Sequence, residues 1–102
     1  MRLRGVRATG MEKPISDLVI LEDYHSRQVV LNYYQDDDFL WKRDGFCFDK
    51  VKLSGGCLVF SKKDGKDTKI CVNEFPVKVV NSQFPNYYIF QNGSNRLEIY
   101  FP

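Results

Sequence analysis

The chain has 102 residues, of which 43% are hydrophobic and 15% are aromatic, and its formal net charge is +2. A chain of this length builds one domain with an ordinary hydrophobic core and is too short for two comfortable ones. It has no apolar run near the roughly 20 residues that a membrane helix needs, and no apolar segment follows its basic N-terminus as a secretory signal requires. We therefore expect no membrane partner.

The positive charge is concentrated in the first residues of the chain. Residues 1–13 contain the charged residues Arg2, Arg4, Arg7, Glu12 and Lys13. They lack hydrophobic periodicity, which predicts a flexible basic N-terminal arm before a single all-β domain over residues 14–102. That domain is close to neutral, whereas nucleic-acid-binding domains usually show a clustered basic excess because phosphate contacts dominate their affinity.

The first predicted elements are two strands, 18–22 and 27–34. The loop between them would set Ile20 opposite Val29, a sensible cross-strand pair. A helix that begins near Ser16, with Ser16 as its cap, is the alternative. The β-branched residues in both segments favour strands.

Two glycine-bearing segments predict tight turns in the middle of the chain. A two-residue turn at 44–45 would separate strands 39–43 and 46–53 and place Trp41 beside Phe48. The segment 54–56 would then reverse the chain again. The pairs expected across this second turn are Val51 with Phe60 and Leu53 with Leu58.

The cysteines are predicted to be reduced. A tight turn at 64–65 would pair Leu58 with Cys71, so Cys57 and Cys71 would lie on opposite faces of the sheet and form no disulfide. With Cys47 the chain has an odd number of cysteines, in no spacing typical of a metal site. A reducing, cytoplasmic location is the simplest interpretation.

The clearest pattern lies in residues 84–101, where Asn92 and Gly93 separate two runs rich in aromatic and β-branched residues. Two hairpin registers fit: a two-residue turn sets Tyr88 opposite Leu97, and a four-residue loop sets Phe90 opposite Leu97. Both place the same core residues on one face, namely Tyr88, Phe90, Leu97, Ile99 and Phe101. The other face is amphipathic and is expected to be partly exposed to solvent; it contains Tyr87, Ile89, Arg96, Glu98 and Tyr100.

These elements predict the fold class. With a further strand at 77–81, the sequence contains about eight short strands separated by turn signals, which is the all-β pattern. Because most turns are short, neighbouring strands should pair antiparallel as a single small meander. Such a sheet must cover its apolar face, so we expect a barrel or a two-layer sandwich.

No catalytic, metal or cofactor site is predicted. A cysteine nucleophile needs a base within reach, but the cysteines lie in predicted strands and His25 lies in a loop. No pair of ligands has the close spacing of a zinc site. The acidic triplet 36–38 lacks the spaced oxygen ligands and the glycine of a calcium loop. We expect a non-enzymatic protein.

The aromatic residues carry the functional hypotheses. The first is a cytoplasmic protein-interaction module, which would contact a protein partner or a second copy through Tyr87, Ile89, Arg96 and Tyr100. The alternative is a small β barrel that binds single-stranded nucleic acid through Tyr33, Tyr34, Trp41, Lys42 and Arg43. A barrel around a small apolar ligand is the third hypothesis, although aromatic side chains more readily fill so small an interior.

Overall fold

The computed structural model describes residues 12–36, 39–81, 83–84 and 86–102. Its strands are β1 (Glu12–Pro14), β2 (His25–Gln35), β3 (Phe39–Ser54), β4 (Cys57–Ser61), β5 (Thr68–Cys71), β6 (Val77–Asn81), β7 (Tyr87–Asn92) and β8 (Asn95–Tyr100). Two 3-10 helices, η1 (Leu18–Asp23) and η2 (Val72–Glu74), complete the described elements. The strands form one antiparallel sheet in the order β1-β6-β7-β8-β2-β3-β4-β5. The predicted all-β antiparallel class is confirmed.

The antiparallel sheet is built from two meanders. Strands β2 to β5 follow each other in order, as do β6 to β8, and the pairing of β2 with β8 joins the two groups. Strand β3 pairs with β2 along most of its length and with β4 over its last five residues. In the described part of the chain β1 and β5 are the two edges, so the sheet is not a closed barrel.

The core lies between the two meanders and is strongly aromatic. Phe101 is buried at its centre, where it stacks on Tyr24 with the ring centroids 3.9 Å apart. It also meets Phe48 of β3 and Tyr88 of β7 edge to face. Aromatic pairs of this kind contribute about 0.5–1.5 kcal/mol beyond their buried area. One side chain therefore ties both halves of the sheet to the segment after η1.

The chain before β2 differs from the prediction. Residues 18–23 form a 3-10 helix instead of a strand, and the Asp17 carboxylate caps it by accepting a hydrogen bond from the Val19 amide at 3.0 Å. The hairpin prediction is wrong. The alternative, a helix capped by Ser16, correctly places a helix here, but it is a 3-10 helix and its cap is Asp17. The helix buries Leu21 and lets Glu22 accept a hydrogen bond from the Leu53 amide, long-range contacts that override β propensity.

The boundary expected between the N-terminal arm and the all-β domain lies inside a strand. Strand β1 pairs Glu12 with Asn81 and Pro14 with Val79 of β6, so the boundary expected between residues 13 and 14 lies within it. Residues 1–11 of the predicted arm lie outside the described residues.

No turn forms at Asp44 and Gly45. Both residues are extended within β3, opposite Leu31 and Val30 of β2. Trp41 consequently lies far from its predicted neighbour Phe48, which packs against Phe60 instead. The eleven residues of β2 need an equally long partner strand, and this tertiary pairing outweighs the local turn preference.

The predicted turn at 54–56 is confirmed with its register, since Val51 faces Phe60 and Leu53 faces Leu58. Gly56 has a φ of +78°, and a Cβ placed there would lie 2.9 Å from the Asn73 side chain. Its carbonyl accepts the backbone N–H groups of Val72 and Asn73. The turn therefore fixes the position of η2.

The register between β4 and β5 is one residue away from the prediction. Cys57 faces Cys71 and Leu58 faces Ile70, because the connection is a wider loop in which the Asp64 carboxylate accepts the Lys66 amide at 2.8 Å. A slip of one residue moves every side chain to the other face. Cys57 and Cys71 form a disulfide, and the expectation that they would not is wrong.

The final strands largely follow the prediction. Strand β6 occupies residues 77–81, and the β7–β8 hairpin adopts the register that pairs Phe90 with Leu97 and Tyr88 with Ile99. The two-residue alternative, with Tyr88 opposite Leu97, is wrong. The predicted core residues of this hairpin are all buried.

Candidate functional site

The predicted protein-binding residues do not form one surface. Ile89 and Arg96 are buried, although both were expected on an accessible face. The Arg96 Nε atom donates a hydrogen bond to the Glu98 carboxylate at 3.0 Å, and the Tyr87 hydroxyl donates to the other carboxylate oxygen at 2.5 Å. The Arg96 guanidinium also lies 4.1 Å from the Tyr34 ring centroid. This face is a packed polar network, and Tyr34 of the neighbouring strand β2 packs against it.

Two of those four residues reach the surface at one end of the hairpin. Tyr87 and Tyr100 face each other across β7 and β8 with their ring centroids 5.9 Å apart. Together with Phe84, which is 55% exposed, they border a groove of about 310 Å³. What remains of the predicted surface is therefore a small aromatic groove.

The predicted nucleic-acid-binding residues are partly brought together. Tyr33 faces Lys42, whose ammonium lies 5.1 Å from the tyrosine ring centroid. The pairing then shifts so that Tyr34 faces Leu40, which leaves Trp41 as the extra residue of a β-bulge. Bulges re-aim side chains, and the Trp41 ring lies 5.6 Å from that of Tyr33. Three of the five residues thus form one cluster, while Arg43 faces Asn32 and Tyr34 faces Arg96.

Tyr33 and Trp41 of this cluster belong to one wall of a cleft of about 340 Å³. The wall consists of Tyr33, Tyr34, Gln35 and Trp41. The opposite wall is formed by Lys69, Ile70 and Cys71 of β5 with Glu74 and Phe75 at η2. The start of β8, residues 95–97, closes the cleft between them. The two meanders therefore meet here without filling the space between them.

The aromatic wall is uncharged. Burial raises the pKa of the Tyr33 hydroxyl above its ordinary value, and the nearby Asp44 carboxylate raises that pKa further. Tyr33 therefore stays protonated at neutral pH and can donate a hydrogen bond. The charged residues that line the cleft are Lys69, Glu74 and Arg96.

An apolar strip of three consecutive residues adjoins the cleft. Phe39, Leu40 and Trp41 are 60%, 40% and 47% exposed. Phe39 faces Gln35, which lines the cleft with Trp41. The sequence hypotheses included Trp41 but missed Phe39 and Leu40. The sequence did contain a signal for their exposure. Three successive apolar residues in a strand cannot all point to the same face, so they cannot all enter one core.

Comparison with models of protein families, with curated proteins and with solved structures finds no match for this chain. Among the described residues no group of three or more histidine, cysteine or acidic side chains could hold a metal ion. Within the same residues no helix is long and apolar enough to cross a membrane.

The candidate nucleophiles and base lie apart from the cleft, except for Cys71. That sulfur is held in the disulfide with Cys57 and is not a thiolate in this structure. Cys47 is a free, exposed cysteine of β3, and His25 begins β2 opposite Lys50. What the cleft offers is aromatic surface, a few charges and the backbone of β5.

Proposed function

We propose that this protein is a non-enzymatic protein-interaction module that contacts its partner through the apolar strip and the adjoining cleft. The observation that carries the proposal is the exposure of Phe39, Leu40 and Trp41 in one run beside an aromatic wall. Monomeric proteins rarely leave contiguous apolar surface uncovered unless it binds something. The proposal keeps the interaction hypothesis from the sequence and moves its surface from the last hairpin to the β2–β3 end.

The energetics of the strip favour a partner protein. Full burial of one large apolar side chain contributes about 1.5–3 kcal/mol, and because side chains alternate along a strand, a partner on one face buries only part of the strip. Tryptophan and tyrosine dominate the binding energy of protein interfaces, especially when they lie at the centre of a patch. The Trp41 ring lies 5.6 Å from that of the half-buried Tyr33, and the exposed Phe39 lies two residues before Trp41 in β3.

The test compares two matched phenylalanine substitutions. Phe39→Ala alters the strip, and Phe84→Ala alters the groove at the other end of the sheet, where the side chain is similarly exposed. The wild type, both variants and Trp41→Ala are immobilised, and the proteins captured from the source cells are quantified. We expect a set of proteins that Phe39→Ala and Trp41→Ala lose and Phe84→Ala retains.

Two other outcomes decide against the proposal. If only Phe84→Ala lost captured proteins, the binding surface would be the groove at Tyr87 and Tyr100. Capture that none of the variants changes would show that exposed aromatics at neither end bind a partner. Sedimentation of the same variants tests whether the partner is a second copy of the chain.

Single-stranded nucleic acid is the second candidate ligand, favoured by the cluster of Tyr33, Trp41 and Lys42. The Lys42 ammonium already lies over the Tyr33 ring, which leaves Trp41 as the accessible stacking surface. We expect weak binding that decreases steeply with salt. Fluorescence anisotropy with a labelled oligothymidine at low salt decides the matter: no binding, or binding that Trp41→Ala leaves unchanged, rejects this candidate.

The enclosed-ligand hypothesis has the least support, because it needs a barrel and the described sheet has two open edges. The cytoplasmic location stays a prediction. The disulfide between Cys57 and Cys71 argues against it, since such bonds persist mainly in oxidising compartments. Acid trapping of the cells followed by thiol alkylation and mass spectrometry would show whether this pair is oxidised in place.

A further inference from the structure

We infer that the cleft binds its partner by strand addition: an extended peptide segment pairs with the free edge of β5 and places an apolar side chain against Trp41. This inference rests on the proposed function and specifies the chemistry of the partner. Recognition of this kind derives affinity from backbone hydrogen bonds and specificity from alternate side chains.

The first observation is the edge itself. Within the described strands β5 pairs only with β4, so its other side presents backbone N–H and C=O groups without a strand partner. Residues 68–71 span roughly 13 Å at about 3.3 Å per residue. An extended segment of similar length can pair along this edge.

The second observation is how β5 lines the cleft. Lys69, Ile70 and Cys71 are consecutive, and consecutive side chains of a strand point to opposite faces. Ile70 is buried in the core and Lys69 is exposed. A cleft that runs along the backbone edge of the strand accounts for all three residues bordering it. A ligand in the cleft therefore meets the unpaired backbone groups.

The third observation is the chemistry of the surroundings. An added strand lies about 4.8 Å from β5, and its side chains alternate between the two faces of the sheet. That wall suits a large apolar side chain next to Trp41. On the β5 side the exposed bases Lys63, Lys66 and Lys69 are balanced by the exposed acids Asp64, Asp67 and Glu74, so charge does not select the partner. The fitting peptide alternates large apolar with polar residues.

The edge is also held in place before binding. The disulfide joins Cys71 to β4, and the Gly56 carbonyl accepts the amides of the next two residues, Val72 and Asn73. A preorganised template lowers the ordering cost that binding must overcome. The edge of β5 therefore suits recognition better than a frayed strand would.

The experiment begins with a random library of displayed peptides of about eight residues, long enough to span β5. Peptides are selected on the oxidised full-length chain and counter-selected on Trp41→Ala. The best peptide is then synthesised in two forms, each N-methylated at alternate backbone amides. One form loses the N–H groups on one edge of the peptide strand, and the second form loses those on the other edge.

Strand addition predicts unequal effects of the two forms. The form methylated on the edge that faces β5 should bind at least about tenfold more weakly, because it loses two or more backbone hydrogen bonds. The other form should bind like the parent peptide. In the nuclear magnetic resonance spectrum of the protein, alternate amides within residues 68–71 should exchange more slowly when the parent peptide is bound. Phe84→Ala serves as the control variant and should bind normally.

The opposing results separate the two proposals. Equal binding of both methylated forms, with unchanged β5 amides, overturns strand addition and leaves a side-chain interface at the strip. Failure to select any peptide that depends on Trp41 also overturns it, because an open edge needs only a short extended segment. The capture experiment with Phe39→Ala decides the proposed function independently of either result.

Discussion

Reduction of the disulfide between Cys57 and Cys71 should lower the stability of the protein substantially. The two residues are 14 positions apart, so the bond closes a loop of about 15 residues in the unfolded chain. The loss of loop entropy for that length corresponds to about 3 kcal/mol of stabilisation. With a urea m-value of about 1–3 kcal/mol/M for a small protein, the unfolding midpoint should decrease by roughly 1–3 M.

Urea unfolding followed by tryptophan fluorescence, with and without a phosphine reductant, measures this change. Cys47→Ser is the control, because it removes the free, exposed thiol and leaves the disulfide intact. Reductant should shift its midpoint as it shifts that of the wild type. Thiol counting by mass spectrometry establishes that the bond is broken. A midpoint that moves by less than 0.3 M, in a sample whose bond is shown to be reduced, would refute the argument from loop length.

Three further substitutions test the packing. Phe101→Ala should cost about 3–5 kcal/mol by emptying the centre of the aromatic core, whereas the same change at the exposed Phe39 should cost less than about 1 kcal/mol; similar urea midpoints would contradict this. Gly56→Ala should destabilise by about 1–2 kcal/mol more than Gly55→Ala, because both glycines have positive φ but only the methyl group at 56 overlaps a side chain; equal melting temperatures would count against the clash. Glu98→Gln should cost about 3 kcal/mol in chemical denaturation because it removes the carboxylate of a buried ion pair, and a loss below 1 kcal/mol would show that the network contributes little.

The parts of the fold that could be predicted are those specified by local pattern. The alternating residues of β7 and β8 fix which side chains enter the core in either register, and the structure buries all of them. The turn at 54–56 has two glycines with positive φ, which few other residues adopt. Local chemistry was sufficient in both places.

In other parts of the chain, contacts with residues distant in the sequence determined the local structure. Asp44 and Gly45 are compatible with a turn and with a strand, and the length of β2 selected the strand. At residues 64–65 the turn signal was real, but the loop is wider than a two-residue turn, its Asp64 carboxylate accepts a hydrogen bond from the Lys66 amide, and the register is shifted by one residue. That shift turned two cysteines from opposite faces into a bonded pair. Single-sequence patterns contain no information about such long-range choices.

The candidate site shows the same division. The aromatic and basic residue types around Trp41 were visible in the sequence, and three of the five predicted residues do cluster. The bulge that turns Trp41 toward Tyr33 depends on the register between β2 and β3. Arg96 is buried against the Tyr34 ring of β2, a strand that lies far away in the chain. Faces can be predicted from alternation, but what covers a face cannot.

The position of β8 has a consequence for synthesis on the ribosome. This strand lies between β7 and β2, so residues near the C-terminal side of the domain complete the middle of the sheet. Until they leave the exit tunnel, β2 and β7 each present an open edge to other nascent chains. The emerging polypeptide is therefore most vulnerable to aggregation just before β8 emerges, and a premature stop before residue 95 would leave the two halves unjoined.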